Sequence, residues 1–180
     1  MDQIEVIRKR QQKDHEFKAS GYSPLSPQQQ TKFDGLQYFD PNPSLAFELK
    51  PEPFVDQAHI KMQTSQGEVQ SYIRWGRVKF QIDGEDAALT LYYTPAQPAF
   101  FVPFMDSTTG EETYSAGRYV EVERLASGNV RLDFNDAYNP YCAYSPQWSC
   151  PIPPVENRLK VPIRAGEKQP VGEWVETVHE

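Results

Sequence analysis

Cysteines, histidines and a cluster of carboxylates, amides and phenols carry the chemistry open to this chain. A Ser-His-Asp or Cys-His arrangement needs an imidazole poised beside its nucleophile. Of the three histidines, His15 lies in a polar N-terminal stretch, His179 is next to the last residue, and His59 sits on the polar phase of a strand pattern. Nucleophilic triad chemistry is therefore not expected, and a histidine-based metal site is equally short of ligands. Cys142 and Cys150 stand eight apart in CAYSPQWSC with no second pair. Structural zinc needs four ligands at short characteristic spacings, so the pair is left as buried thiols, a disulfide or a reactive thiol. Reactivity would need a cation from elsewhere to lower a thiol pKa, and Arg118, Arg158 or Arg164 could bring one.

Two segments concentrate polar groups. DSTTGEETYSAGRY, from Asp106 to Tyr119, begins like a calcium loop but lacks the side-chain oxygens, glycine and final glutamate of an EF-hand at the required positions. A turn at Thr109-Gly110 is the simpler reading, with Asp106, Glu111, Glu112 and Arg118 offering both charge signs to a polar ligand. DFNDAYNPYCAY, from Asp133 to Tyr144, is the densest polar-aromatic cluster. Asn and Asp in such places often serve the backbone of turns. Aromatic bodies with a few converging polar groups also make a small-molecule site. Read that way, Arg118 is an anion anchor, Asp133 and Asn135 a hydrogen-bonding floor, and Tyr138 and Tyr141 stacking walls. Asp106, Tyr119, Asn139, Cys142, Glu156 and Asn157 complete the candidate set. No cofactor or metal is expected. Two other functions compete with binding of a small polar molecule: a non-catalytic scaffold in which these residues are structural, and a hydrolase using Asp133 or Glu156 as a base.

The elements that would position these groups follow from composition and period. At 180 residues the chain is long enough for one domain with a sizeable core. Its 10 Phe, 10 Tyr and 3 Trp are too many for a disordered chain, and 16 Pro are too many for long helices to dominate. The net charge of −7 argues against nucleic acid, whose binding rests on cations that neutralise phosphates, and against an anionic membrane surface. The uncharged runs 87–105 and 137–155 carry several prolines each and cannot be membrane-spanning helices. The first twenty residues hold no apolar h-region, which makes a cytoplasmic location the expectation.

Residues 2–18 read as a helix with a thin apolar stripe on Ile4 and Ile7, lying on a larger body. Ser26-Pro27 opens a second, short helix. From residue 44 to 134 the period is two. Leu45, Phe47 and Leu49, then Ala58, Ile60 and Met62, then Val78, Phe80 and Ile82 alternate with polar partners, while 69–75 and 100–104 are apolar on both phases. Asp83-Gly84 is the strongest hairpin signal, and Ser127-Gly128-Asn129 closes the last hairpin. About eight strands at short spacing without intervening helices predict an antiparallel β-barrel or sandwich. Residues 135–168 lose all period; between 135 and 170 stand seven prolines, 140, 146, 151, 153, 154, 162 and 170. Their aromatic and aliphatic content predicts an ordered arm that caps one mouth of the β-body, within a single domain spanning 1–180.

The words FVPFMDSTTGEETYSAGRYVEV and LDFNDAYNPYCAYSPQWSCPIPPVENRLKVPIRAGEK, with SPLSPQQQTKFDGLQYF nearer the start, resemble the bacterial and archaeal family known as domain of unknown function 1684. The resemblance covers most of residues 20–168. Met105 and Asp136 depart from a family pattern in which basic residues are common at those places. The family has no assigned activity, so the resemblance implies no catalytic role for any residue.

Overall fold

The computed structural model describes residues 1–176. Asp2 caps the first helix, α1 (Gln3–Ala19), by accepting from the backbone N–H of Ile4. Its buried face is Val6 and Phe17, flanked by half-buried Arg10, Lys13 and Asp14. The expected stripe of Ile4 and Ile7 points outward instead, Ile4 being 79% exposed. The buried face wins because its cations have partners: Arg10 donates to the Phe39 carbonyl and Lys13 pairs with the buried Glu167. Helix α2 (Pro27–Lys32) opens with a full capping box between Ser26 and Gln29, and Pro27 sits where its missing N–H costs nothing.

Eight strands follow: β1 (Ala46–Leu49), β2 (Glu52–Pro53), β3 (His59–Gln63), β4 (Val69–Ile82), β5 (Glu85–Tyr93), β6 (Phe100–Phe104), β7 (Arg118–Arg124) and β8 (Val130–Asp133). They pair antiparallel in the order β1-β8-β7-β6-β5-β4-β2, with β3 also on β4. Sequence periodicity splits 69–82 into two strands at Gly76, but the chain runs through as one, with a bulge between Arg74 and Gly76. Gly76 lies under β2: a Cβ there would stand 2.6 Å from the Glu52 carbonyl oxygen. The Asp83-Gly84 hairpin is formed as the sequence predicts, with φ of 50° and 82°.

The sheet is neither a closed barrel nor a sandwich. It curls into a half-barrel whose end strands do not pair. Phe47 of β1 reaches across the concave side to Phe80 of β4 at 5.2 Å between ring centroids, and both contact Phe134. Val161, Ile163 and Ala165 of the irregular stretch enter the same core. That stretch fills the opening with apolar side chains, which removes the need for strand closure. Strand β6 is buried along its whole length, because Phe100, Val102 and Phe104 face the core while Phe101 faces a second cluster on the outer side. The outer cluster comprises Met62, Tyr92, Phe101, Tyr119 and Cys150, so both faces of the central strands are covered.

Residues 135–170 hold no strand of their own and borrow hydrogen bonds from the sheet and from the chain before β1. Tyr119 and Tyr138 exchange backbone bonds at 2.8 and 2.9 Å; Leu159 N–H donates to the Met105 carbonyl and Ser107 N–H to that of Val161. Tyr144, Val161 and Ile163 are buried, whereas Val155 is 76% exposed. Among the described residues no helix is long and apolar enough to cross a membrane.

Gly166 marks the tightest crossing. Its φ is +76°, and a Cβ would lie 2.6 Å from the Ala137 carbonyl oxygen and 2.7 Å from that of Phe134. Left-handed backbone alone costs a non-glycine residue about 1–2 kcal/mol, and here the clash adds to it. Gly166→Ala is expected to lower the urea-unfolding free energy by more than about 2 kcal/mol. Gly128→Asn, at φ +90° with nothing within 4 Å, is expected to lose less than about 1 kcal/mol.

Candidate functional site

The predicted site residues fall into separate places. Arg118 opens β7 and is 1% exposed. Its guanidinium donates to Asp106 Oδ2 at 2.8 Å, to the Ile163 carbonyl at 2.8 Å, and to the carbonyls of Ala165 and Glu167. Burial pulls its pKa down against the opposing pull of Asp106. The other Asp106 oxygen accepts from the Thr108 backbone N–H and hydroxyl. Arg118 is therefore no anion anchor: it is buried, and both terminal nitrogens of its fork are taken by the fold itself. Asn157 is fully enclosed, bonding both backbone groups of Thr90 and the Pro103 carbonyl. Asp133 caps the turn at Phe134–Asp136, and Asn135 bonds both backbone groups of Asn42. They form a joint between the chain before β1 and the end of β8; Asp133 also borders a groove beside the start of α1, and Asn135 a smaller one of about 100 Å³.

Asn139 belongs to a third buried group. Its N–H and the Tyr144 hydroxyl both donate to Glu167 Oε2 at 2.8 Å, while Lys13 pairs with Glu167 Oε1. Glu167 is 1% exposed, so this carboxylate ties α1 to the irregular stretch. Burial and Glu167 push the Tyr144 hydroxyl well above the ordinary phenol pKa. Glu156 lies elsewhere again, in a groove of about 190 Å³ with Phe54, Arg74, Arg77 and Thr90. Arg74 holds it in a fork at 2.8–3.1 Å and Tyr92 donates its hydroxyl to it. Burial pushes the Glu156 pKa up, but the Arg74 and Tyr92 hydrogen bonds outweigh it and leave the carboxyl below its ordinary value.

What the fold does bring together is a cleft of about 460 Å³ on the outer face of the sheet, where the irregular stretch crosses β4, β6 and β7. Its walls are Tyr72, Phe101, Tyr119, Tyr138, Tyr141 and Trp148, with Cys150, Pro140 and Pro151 at the base and Lys13, Gln70, Gln97 and Glu121 on the rim. The rings support each other: Tyr72 stacks on Phe101 at 5.3 Å, Phe101 meets Tyr119 edge-on at 4.8 Å, and Tyr141 meets Trp148 edge-on at 5.1 Å. Tyr138 donates its hydroxyl to Glu121 and lies under the Lys13 ammonium at 5.1 Å. Burial raises the pKa of Tyr72, Tyr119 and Tyr138, so these phenols stay neutral donors and acceptors. A groove of about 490 Å³ beside the start of α1 is edged by Asp2, Glu5, Lys9, Arg131, Asp136 and the predicted Asp133. Lys9 and Asp136 already pair there at 3.2 Å, and the groove lacks an aromatic platform apart from Phe47.

Three of the eleven predicted residues, Tyr119, Tyr138 and Tyr141, thus line the cleft, and Cys142 lies just behind it. Tyr72, Phe101, Trp148 and Cys150 were outside that set. The signal for the first two was the apolar character of 69–75 and 100–104 on both strand phases, which requires a cover on the outer face.

The two cysteines are free thiols packed in one cluster. The Cys142 N–H donates to Cys150 Sγ at 3.3 Å, and the Tyr114 hydroxyl lies 3.8 Å from Cys142 Sγ. The hydrogen bond from Cys150 pulls the Cys142 thiol down to about 7 against burial, with Tyr114 helping. The same bond and burial push Cys150 up. Two of the cations that could have lowered a thiol pKa are engaged elsewhere, Arg118 with Asp106 and Arg164 with Glu112.

Arg118→Met is expected to cost about 3–5 kcal/mol in urea unfolding, since it strands a buried carboxylate. Adding Asp106→Asn should recover only part of the loss, because the Ile163, Ala165 and Glu167 carbonyls stay unpaired. Recovery of the full wild-type value would show that those carbonyl contacts contribute nothing. Glu156, with its folded pKa depressed, contributes stability above its unfolded value near 4.5 and loses it as pH falls through the lower folded value. The stability advantage of wild type over Glu156→Gln should therefore shrink in urea titrations below that pH; an advantage constant with pH contradicts the assignment.

The family model described as "Protein of unknown function (DUF1684)" matches residues 31–168. The solution NMR structure of the uncharacterized protein from gene locus rrnAC0354 of Haloarcula marismortui is similar over 92% of both chains, at 37% identity and a TM-score of 0.70. Among curated proteins none matches. The match covers the sheet, the buried Arg118–Asp106 pair and the cysteine segment alike, and the chain belongs to the DUF1684 family of proteins of unknown function.

Proposed function

We propose that the protein binds a small molecule with a flat, uncharged or cationic heteroaromatic body in the cleft between β4, β6, β7 and the irregular arm. The observation that carries this reading is the wall of six aromatic side chains around an open volume of about 460 Å³. Ligand sites have this make-up, mostly apolar with few polar groups. Offset or edge-on ring pairs contribute about 0.5–1.5 kcal/mol each beyond area burial. On the rim, Gln70, Gln97 and Glu121 offer hydrogen-bond partners to a polar edge, while Lys13 is already engaged by Glu167. Glu121 and the net charge of −7 favour a neutral or positive ligand over an anion.

In this reading the arm is a wall of the site, held down by Arg118, Asn157 and Glu167, whose roles are structural. The scaffold alternative thus describes the motif residues, while the cleft carries the binding. A hydrolase built on Asp133 or Glu156 is less well supported. Asp133 is committed as a turn cap, and Glu156, held in a fork by Arg74 with its pKa below the ordinary carboxylate value, is a weak base whose lone pairs are already taken.

The test is a titration with tryptamine, adenosine and riboflavin, followed by fluorescence and by thermal shift, since native-state binders raise stability by mass action. At least one compound should bind saturably, and Tyr138→Ala and Trp148→Ala should each weaken it by about tenfold, equivalent to about 1.4 kcal/mol. No binding by any of the three, or binding indifferent to both substitutions in folded protein, overturns the proposal.

A further inference from the structure

Behind the cleft wall, two cysteines pack in one cluster of a firmly held chain segment, the Cys142 N–H donating to Cys150 Sγ at 3.3 Å. Cys150 is pinned from both sides by Ser65: its N–H donates to Ser65 Oγ at 3.1 Å and its carbonyl accepts from the Ser65 N–H at 2.9 Å. Cys142 sits in a short turn in which the Tyr144 N–H returns to the Tyr141 carbonyl at 3.0 Å. The segment between the two cysteines therefore has both ends fixed, with Cys150 Sγ held against the backbone N–H of Cys142. Cys150 lines the cleft and is 8% exposed, whereas Cys142 is half-buried. Two thiols this close titrate as a pair. The Tyr114 hydroxyl beside Cys142 Sγ supplies a neutral donor to a thiolate on that sulfur.

We infer that Cys142 and Cys150 are a reversible dithiol–disulfide couple, in which Cys142 attacks a small-molecule disulfide and Cys150 resolves the product. The Cys142 thiolate attacks one sulfur of the small disulfide, forming a mixed disulfide and expelling one thiolate. The Cys150 sulfur then attacks Cys142 Sγ, closing the intramolecular bond and expelling the second thiolate. Each released thiolate takes up the proton lost by one cysteine, so two electrons pass from the protein to the small disulfide. Attack favours a thiol with pKa near the ambient pH, which fits Cys142 and not Cys150. Closure would fix the loop bearing Trp148, so the redox state of the pair would set the shape of one cleft wall. The couple itself does not depend on what the cleft binds.

The experiment exposes the folded chain to glutathione disulfide at neutral pH and maps the products by mass. No Lys or Arg lies between 137 and 155, so one tryptic peptide carries both cysteines. Wild type should yield this peptide lighter by two hydrogens, reverting on addition of excess reduced glutathione. Cys150→Ser should stop at a single glutathione adduct on Cys142, and Cys142→Ser should form its adduct on Cys150 about tenfold more slowly, because Cys150 is buried and Cys142 only half-buried. Near-UV circular dichroism verifies that each variant is folded, and the wild-type peptide decides the matter if one is not. A wild-type peptide that keeps both thiols, or carries two separate glutathione adducts, overturns the inference. Equal adduct rates in the two folded variants overturn the assignment of Cys142 as the attacking sulfur.

Discussion

A single buried guanidinium holds together the two halves of this fold. Arg118 stands at the first residue of β7, where the sheet meets the loop that begins at Asp106, and it faces three carbonyls of the irregular stretch. Such a stretch makes few ladder bonds of its own, and a buried carbonyl without a partner is costly. A planar fork with five donors suits the task, since it can satisfy one carboxylate and several carbonyls at once. A lysine at this position could offer three donors from one point, not a fork. The pair with Asp106 neutralises the charge that would otherwise make such burial prohibitive.

Once the stretch is fixed, its two sides acquire different jobs. Val161, Ile163 and Ala165 turn inward and complete the concave core beside Phe104 and Phe134. The earlier part, 138–151, passes over the convex face and meets Tyr119, Phe101 and Tyr72. Glu167 links both parts to α1 through Lys13, Asn139 and Tyr144. The half-barrel can therefore stay open, because one irregular segment covers the outside of the sheet and fills its inside. The cleft is what remains where that cover does not meet the sheet perfectly.

The same geometry explains why the polar residues and the aromatic residues of one motif part company. In DFNDAYNPYCAY the amides and the aspartate turn toward backbone groups, while the tyrosines at 138 and 141 face the cleft. A buried amide must be satisfied, and the nearest partners are the chain's own N–H and C=O groups. An aromatic body has no such demand and can border open space. Half-exposed Tyr141 and Trp148 do so against each other.

Much of this could be read from residue order. Period-two stretches gave the strands, Asp83-Gly84 and Ser127-Gly128-Asn129 gave the turns, and Ser26-Pro27 gave the start of α2, because each depends on local backbone preference. The apolar character of 100–104 on both phases already required cover on two faces. Sequence could not tell which polar residues would meet. Arg118 looked like a ligand anchor because its four acceptors lie at 106, 163, 165 and 167, far along the chain. Helix α1 turned a face other than its isoleucines inward because Lys13 finds Glu167, 154 residues away. The sheet stayed open because distant Val161 and Ile163 fill it. Local preference is written residue by residue, but the partner of a buried charge and the occupant of a concave face are fixed only when the chain closes on itself.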